Sequence, residues 1–163
     1  MSLNARSYLV DAGFLTLHYS GNLRAKPYFD RILSSKARGF ISEVNLAEFY
    51  YKTGQMKGLD TAETWYNQVR QAGFQIISPD YTITKNAAIW KVKRNDISLA
   101  DCFALATLKE HAEVLLTTDS VLNAIKGVKS VHLAPLLKGE WLVPLAAPNS
   151  CVQNLCHRDL DNQ

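Results

Sequence analysis

Four acidic residues carry the chemistry this sequence could perform. Asp11 closes the short apolar run Ser7-Tyr-Leu-Val-Asp11, and Glu48 lies inside Ile41-Ser-Glu-Val-Asn-Leu-Ala-Glu-Phe-Tyr50. Asp101 opens the apolar stretch Ser98-Leu-Ala-Asp-Cys-Phe-Ala-Leu-Ala-Thr-Leu108, and Asp119 ends Leu115-Leu-Thr-Thr-Asp119. A carboxylate in apolar surroundings has to be paired, capped or bound to a cation. Several carboxylates in one place repel each other unless a cation neutralises them. Hard oxygen donors of this kind suit Mg²⁺ or Mn²⁺. An ion held this way polarises a phosphate and activates a water, which is the chemistry of phosphodiester hydrolysis.

Whether the four acids meet depends on the elements that carry them. Residues 7–11 have β character, and 12–19 read as a short helix stopped by Ser20-Gly21-Asn22. Residues 23–35 are amphipathic, with Tyr28, Phe29, Ile32 and Leu33 at helical spacing. Residues 39–42 form a second strand, and Ser42 caps a helix to about residue 55, with Gly54 and Gly58 as stop signals. Helix 60–71, strand 74–77 and helix 80–93 follow, then helix 98–111, strand 113–117, short helix 121–125 and strand 128–133. This alternation predicts an α/β fold with a short, mostly parallel sheet. Short strands outnumbered by helices imply helices on both faces, a three-layer α/β/α sandwich.

In a parallel sheet, ligands bind at the carboxyl ends of the strands. Asp11 and Asp119 both end strands. The helix bearing Asp101 runs back along the sheet into the next strand, so its N-terminus lies at the same edge. The helix from Ser42 starts there too, and at about 100° per residue Glu48 falls near the inward line of Ile41, Val44 and Tyr51. Topology thus draws Asp11, Glu48, Asp101 and Asp119 towards one crevice with no basic residue between them. Each acid also has a plainer reading. Asp11 and Asp119 suit helix N-caps, Ser98 and Asp101 fit a capping box, and Glu48 suits a solvated helix face. Thr117 and Thr118 fit a strand end equally well as they fit orienting a carboxylate or a metal-bound water.

Composition excludes several other classes. The chain has 163 residues, long enough for one domain with a sizeable core, and 47% hydrophobic with 20% charged content is ordinary for a globular protein. Net charge is +3, which permits a polyanionic partner without demanding one. Three cysteines make no disulfide framework, and no apolar run spans a membrane, so a cytoplasmic setting is expected. The run Lys91-Val-Lys-Arg94 leads to the acidic edge and reads as a solvated face or as RNA-facing charge. Trp65 and Trp90 read as core, and of Phe49, Tyr50 and Tyr51 at least one should be exposed to a second subunit or partner helix. His18, His111 and His132 are expected away from the acids. Cys151, Cys156 and His157 have zinc-ligand types but lack a fourth partner at usual spacing.

Tyr8-Leu-Val-Asp-Ala12, Ile41 to Tyr50, Ser98 to Ala106 and Leu115 to Asp119 together resemble the PIN-domain family, in particular its VapC-type toxins, over about residues 6–134. The resemblance implies that the family's metal-binding acids fall on Asp11, Glu48, Asp101 and Asp119, with Glu43 a rival to Glu48. It places the polar residue near the last acid at Thr117 or Thr118. It further implies an Mg²⁺- or Mn²⁺-dependent ribonuclease, RNA as substrate, an antitoxin encoded beside it, and a homodimer. Residues 1–138 would be the nuclease domain, and 139–163 a partly disordered extension beyond the compact toxin pattern. A PIN-like module that grips RNA or protein without cutting is the competing reading. A phosphoryl-accepting haloacid-dehalogenase-like enzyme would want an Asp where Gly13 stands, and there is no Gly-rich phosphate loop.

Overall fold

The computed structural model describes residues 5–134. Five strands form one sheet: β1 Ser7–Val10, β2 Arg38–Ser42, β3 Gln75–Ile77, β4 Val114–Thr117 and β5 Ser130–His132. Their order is β3-β2-β1-β4-β5, and every pairing is parallel. The helices are α1 Ala12–Tyr19, α2 Lys26–Leu33, α3 Glu43–Lys57, α4 Leu59–Gln71, α5 Tyr81–Lys93, α6 Leu99–His111 and α7 Ser120–Asn123. The expected α/β sandwich is present, and its sheet is parallel throughout the described residues. The α3 helix continues through Gly54 and ends at Gly58, because Gly54 packs against Leu59 and Ala62 of the following helix.

β1 is central and buried at all four positions, which explains its unbroken apolar sequence. Its side chains alternate between two cores. Tyr8 and Val10 join Ile41 and Leu116 under α1 to α4, whereas Leu9 joins Phe40 and Leu115 under α5 to α7. Trp65 stacks on Tyr19 and Phe49 in the first core, and Trp90 packs against the second. Of the three consecutive aromatics, Phe49 is buried and Tyr51 is exposed. Among the described residues no helix is long and apolar enough to cross a membrane. The tail sequences around Gly139, Cys151 and Cys156, and the boundary after residue 138, lie outside the described residues.

β2 approaches α2 closely at Gly39. A Cβ there would meet Ile32 Cγ2 at 2.6 Å and Phe74 Cδ1 at 2.8 Å. Both neighbours belong to the first core and are hemmed in. Gly39→Ala therefore overpacks the sheet–helix layer and lowers stability by about 1–3 kcal/mol. A urea titration measures this; an unchanged midpoint would mean that this contact is looser than described.

Candidate active site

Four helices begin at the carboxyl edge of the sheet, and each start is capped by a side chain. Asp11 Oδ1 accepts from the Phe14 N–H at 2.6 Å, and Ser42 Oγ accepts from Val44 N–H at 3.3 Å. Ser98 Oγ accepts from Asp101 N–H at 3.1 Å while Asp101 Oδ2 accepts from Ser98 N–H at 3.0 Å. Asp119 Oδ1 accepts from Val121 N–H at 2.6 Å. The capping roles foreseen for Asp11, Asp101 and Asp119 are thus filled, and capping leaves the second carboxylate oxygen of Asp11 and of Asp119 without a capping role. The edge lies at the switch point between β1 and β4, where chain connections diverge and open a crevice.

Asp11 is the acid most withdrawn from water, at 4% exposure. Burial, opposed by hydrogen bonds from the Thr117 hydroxyl and the Phe14 N–H and reinforced by the negative charges of Asp101 and Glu48, pushes its pKa up to about 6. Asp11, Asp101 and Glu48 therefore lie within electrostatic reach of each other's site. Glu48 has a side chain only 12% exposed, whereas its rival Glu43 is exposed in the first turn of α3.

The expectation of no base among the acids needs correction. Lys52 Nζ lies 2.5 Å from Glu48 Oε1. Burial works against its charge, but the Glu48 hydrogen bond, followed by the charges of Glu48, Tyr51 and Asp101, holds its pKa above the usual value. On sequence alone Glu48 and Lys52 look like an ordinary i, i+4 surface pair. Only the tertiary position of α3 puts this pair against Asp11 and Asp101.

Thr117 is fully buried, and its hydroxyl accepts from the Asp119 N–H at 2.9 Å; it also opposes the rise that burial imposes on the Asp11 pKa. Thr118 instead presses on Gly13: a Cβ at Gly13 would lie 2.2 Å from Thr118 Oγ1 and 3.3 Å from Asp11 Oδ1. Gly13 is thus the small residue that lets the β4 end close on the β1 end. Asp119 reaches this edge through its backbone, while its carboxylate is turned to the α7 N-terminus. His132 Nε2 lies 3.1 Å from the Thr118 carbonyl. Asn45 also escaped the sequence reading. It is buried one turn before Glu48, and neither amide atom finds a partner among the described residues. Two members of the basic run are engaged locally, Lys91 donating to the Asn95 and Ile97 carbonyls and Arg94 forking onto Asp96, while Lys93 is exposed.

The PIN domain family model matches residues 8–128, well over half of the chain. The chain belongs to the PIN domain family. Several solved structures share the fold. VapC20 of Mycobacterium tuberculosis, a sarcin-ricin loop cleaving toxin, is 18% identical with a TM-score of 0.59 over 72% of this chain and 93% of its own. VapBC2 of Rickettsia felis, bound to a promoter DNA fragment, is 14% identical with a TM-score of 0.62 over 77% and 98%. DNA-bound VapBC of Salmonella typhimurium is 13% identical with a TM-score of 0.62 over 78% and 98%. Comparison with curated proteins returns no match.

Among the described residues, no three His, Cys, Asp or Glu side chains are grouped so as to hold an ion as they stand. The donor set of this PIN domain nonetheless fits a hard cation. Asp11 is an anionic group buried against like charges, and every acid at the edge offers oxygen alone.

An unfolded Asp titrates near 3.8, and the fold keeps Asp11 protonated up to about 6. The contribution of this preference to stability is complete below the unfolded value and is lost as pH rises through the folded one. Asn keeps the cap without the charge. Asp11→Asn therefore raises stability at pH 7.5 in EDTA by about 1–3 kcal/mol, and the gain fades below pH 4. Thermal melts across pH check this; equal melting temperatures at pH 7.5 would show that burial does not strain the charge.

Proposed function

We propose that this chain is a metal-dependent endoribonuclease and the toxin of a toxin–antitoxin pair. The reading is carried by one observation: the charges of Asp101 and Glu48 both act on the buried Asp11 at the sheet's switch point. Asp11, Glu48, Asp101 and Asp119 would hold Mg²⁺ or Mn²⁺. When bound, such an ion polarises a phosphate and lowers the pKa of a water, which prepares in-line hydrolysis of an RNA phosphodiester.

The chain's own residues supply placement. Asp11 is held by its cap to the Phe14 N–H at the start of α1. Asp101 is anchored by the capping box at the positive end of α6. Glu48 or Asp119 orients the attacking water as a general base. Thr117 holds the backbone of Asp119, and Thr118 keeps the two strand ends together through Gly13.

An antitoxin partner is supported by the likeness to the VapBC complexes. Exposed Tyr51, Met56 and Leu59 on α3 and α4 offer apolar surface to that antitoxin or to a second copy in a homodimer. The protein would act in the cytoplasm, where RNA and a co-expressed antitoxin meet it.

The decisive assay is RNA cleavage by the purified chain with Mg²⁺ or Mn²⁺ and with EDTA. Cleavage requires the metal, and Asp11→Asn and Asp101→Asn each slow it by about 10²-fold or more without altering circular dichroism. Metal-dependent cleavage that survives both substitutions rejects this site.

A further inference from the structure

Lys52 is half exposed, yet its ammonium is turned to a glutamate that is mostly buried. On α3, Asn45, Glu48, Lys52 and Met56 lie along one stripe at i, i+3, i+7 and i+11. Lys52 and Met56 line an open cavity of about 360 Å³ together with Ala12, Gly13, Thr16 and Thr118. The stem of Lys52 therefore lies on an apolar wall beside the strand ends, and its ammonium turns inward to a glutamate only 12% exposed. Asp101, on a different helix, also acts on that ammonium. The charges of Glu48 and Asp101 also act on the buried Asp11. The lysine is thus the one cation that faces the acids from α3, while Lys91 and Arg94 are engaged by their own loop.

We infer that Lys52 is a resident counter-ion of the acidic site: it holds Glu48 in the metal-free protein and competes with a divalent cation for that carboxylate. The inference rests on the metal-site reading above. Two physical consequences follow from it. An ion entering among the acids must release Glu48 from Lys52, and while the ammonium stays close it repels the ion. A doubly and a singly charged cation about 6 Å apart repel by roughly 1.4 kcal/mol even at the dielectric constant of water, a factor of about ten in affinity. Lys52 is a positioning residue in this scheme, acting through Glu48.

The test uses the full chain and Mn²⁺ at fixed pH and ionic strength, with free Mn²⁺ read by electron paramagnetic resonance. Lys52→Met keeps the stem and removes the charge, Lys52→Arg keeps the charge, and Asp11→Asn marks the site. Lys52→Met should bind Mn²⁺ about tenfold more tightly than wild type, with Lys52→Arg close to wild type. The rise in melting temperature on adding Mn²⁺ should also be larger in Lys52→Met, since its metal-free acids have lost their cation. Lys52→Gln serves as a second charge-removing variant if the methionine variant is unstable. Unchanged or weaker Mn²⁺ binding in a folded charge-removing variant overturns the role of Lys52 and leaves the metal site standing. Mn²⁺ binding that persists undiminished in Asp11→Asn, or that is absent from wild type and Lys52 variants alike, removes the metal-site reading itself.

Discussion

A carboxylate taken out of water must be compensated, and the position of Asp11 sets this problem for its surroundings. It ends the central strand, beneath α1, where solvent barely reaches. Its cap to Phe14 and its bond from Thr117 answer part of the cost. The nearby charges of Asp101 and Glu48 increase it. A fold that only needed a helix cap at this place could use a neutral Asn or Ser. Two further acids beside a buried aspartate add to that cost rather than relieve it.

The parallel sheet makes such a gathering possible. All strands share a direction, so every strand end and every following helix start falls at one edge. Helix starts favour negative groups, because their free N–H groups and dipoles point outward. Asp11, Asp101 and Asp119 are therefore tolerated locally as caps before they have any joint role. The switch point between β1 and β4 then opens space between the helices that diverge from it. Close packing keeps that space small. Thr118 rests where only a glycine fits at position 13, and the Asp11 N–H donates to the Leu116 carbonyl across the two strand ends.

Lys52 gives this acidic edge a character that local capping does not. An i, i+4 Glu–Lys pair in water contributes little and exchanges freely. Here the glutamate is mostly buried, the lysine stem lies on an apolar wall, and the ammonium answers charges from two helices. Local helix geometry and the tertiary acid cluster therefore meet in a single side chain. The buried Asn45, one turn earlier on the same stripe and without a partner, marks the inner end of this polar seam through α3.

The sequence by itself determined the α/β class, the order of the elements and the placement of Asp11, Asp101 and Asp119 at strand and helix ends. Those features are local: apolar runs such as Tyr8-Leu-Val10, the Ser98–Asp101 capping pattern and the helical spacing of Ile83 and Ala87 are written in neighbouring residues. The parallel edge followed from chain order alone. What required tertiary structure was the environment of each charge. Whether Glu48 looks inward, whether Lys52 follows it, and whether His132 reaches the Thr118 carbonyl depend on how α3, β4 and β5 pack across the sheet. The need for glycine at position 13 depends on a threonine far along the chain, brought to it by strand pairing. Charge burial and close packing are set by neighbours in space, so spacing along the chain could not reveal them.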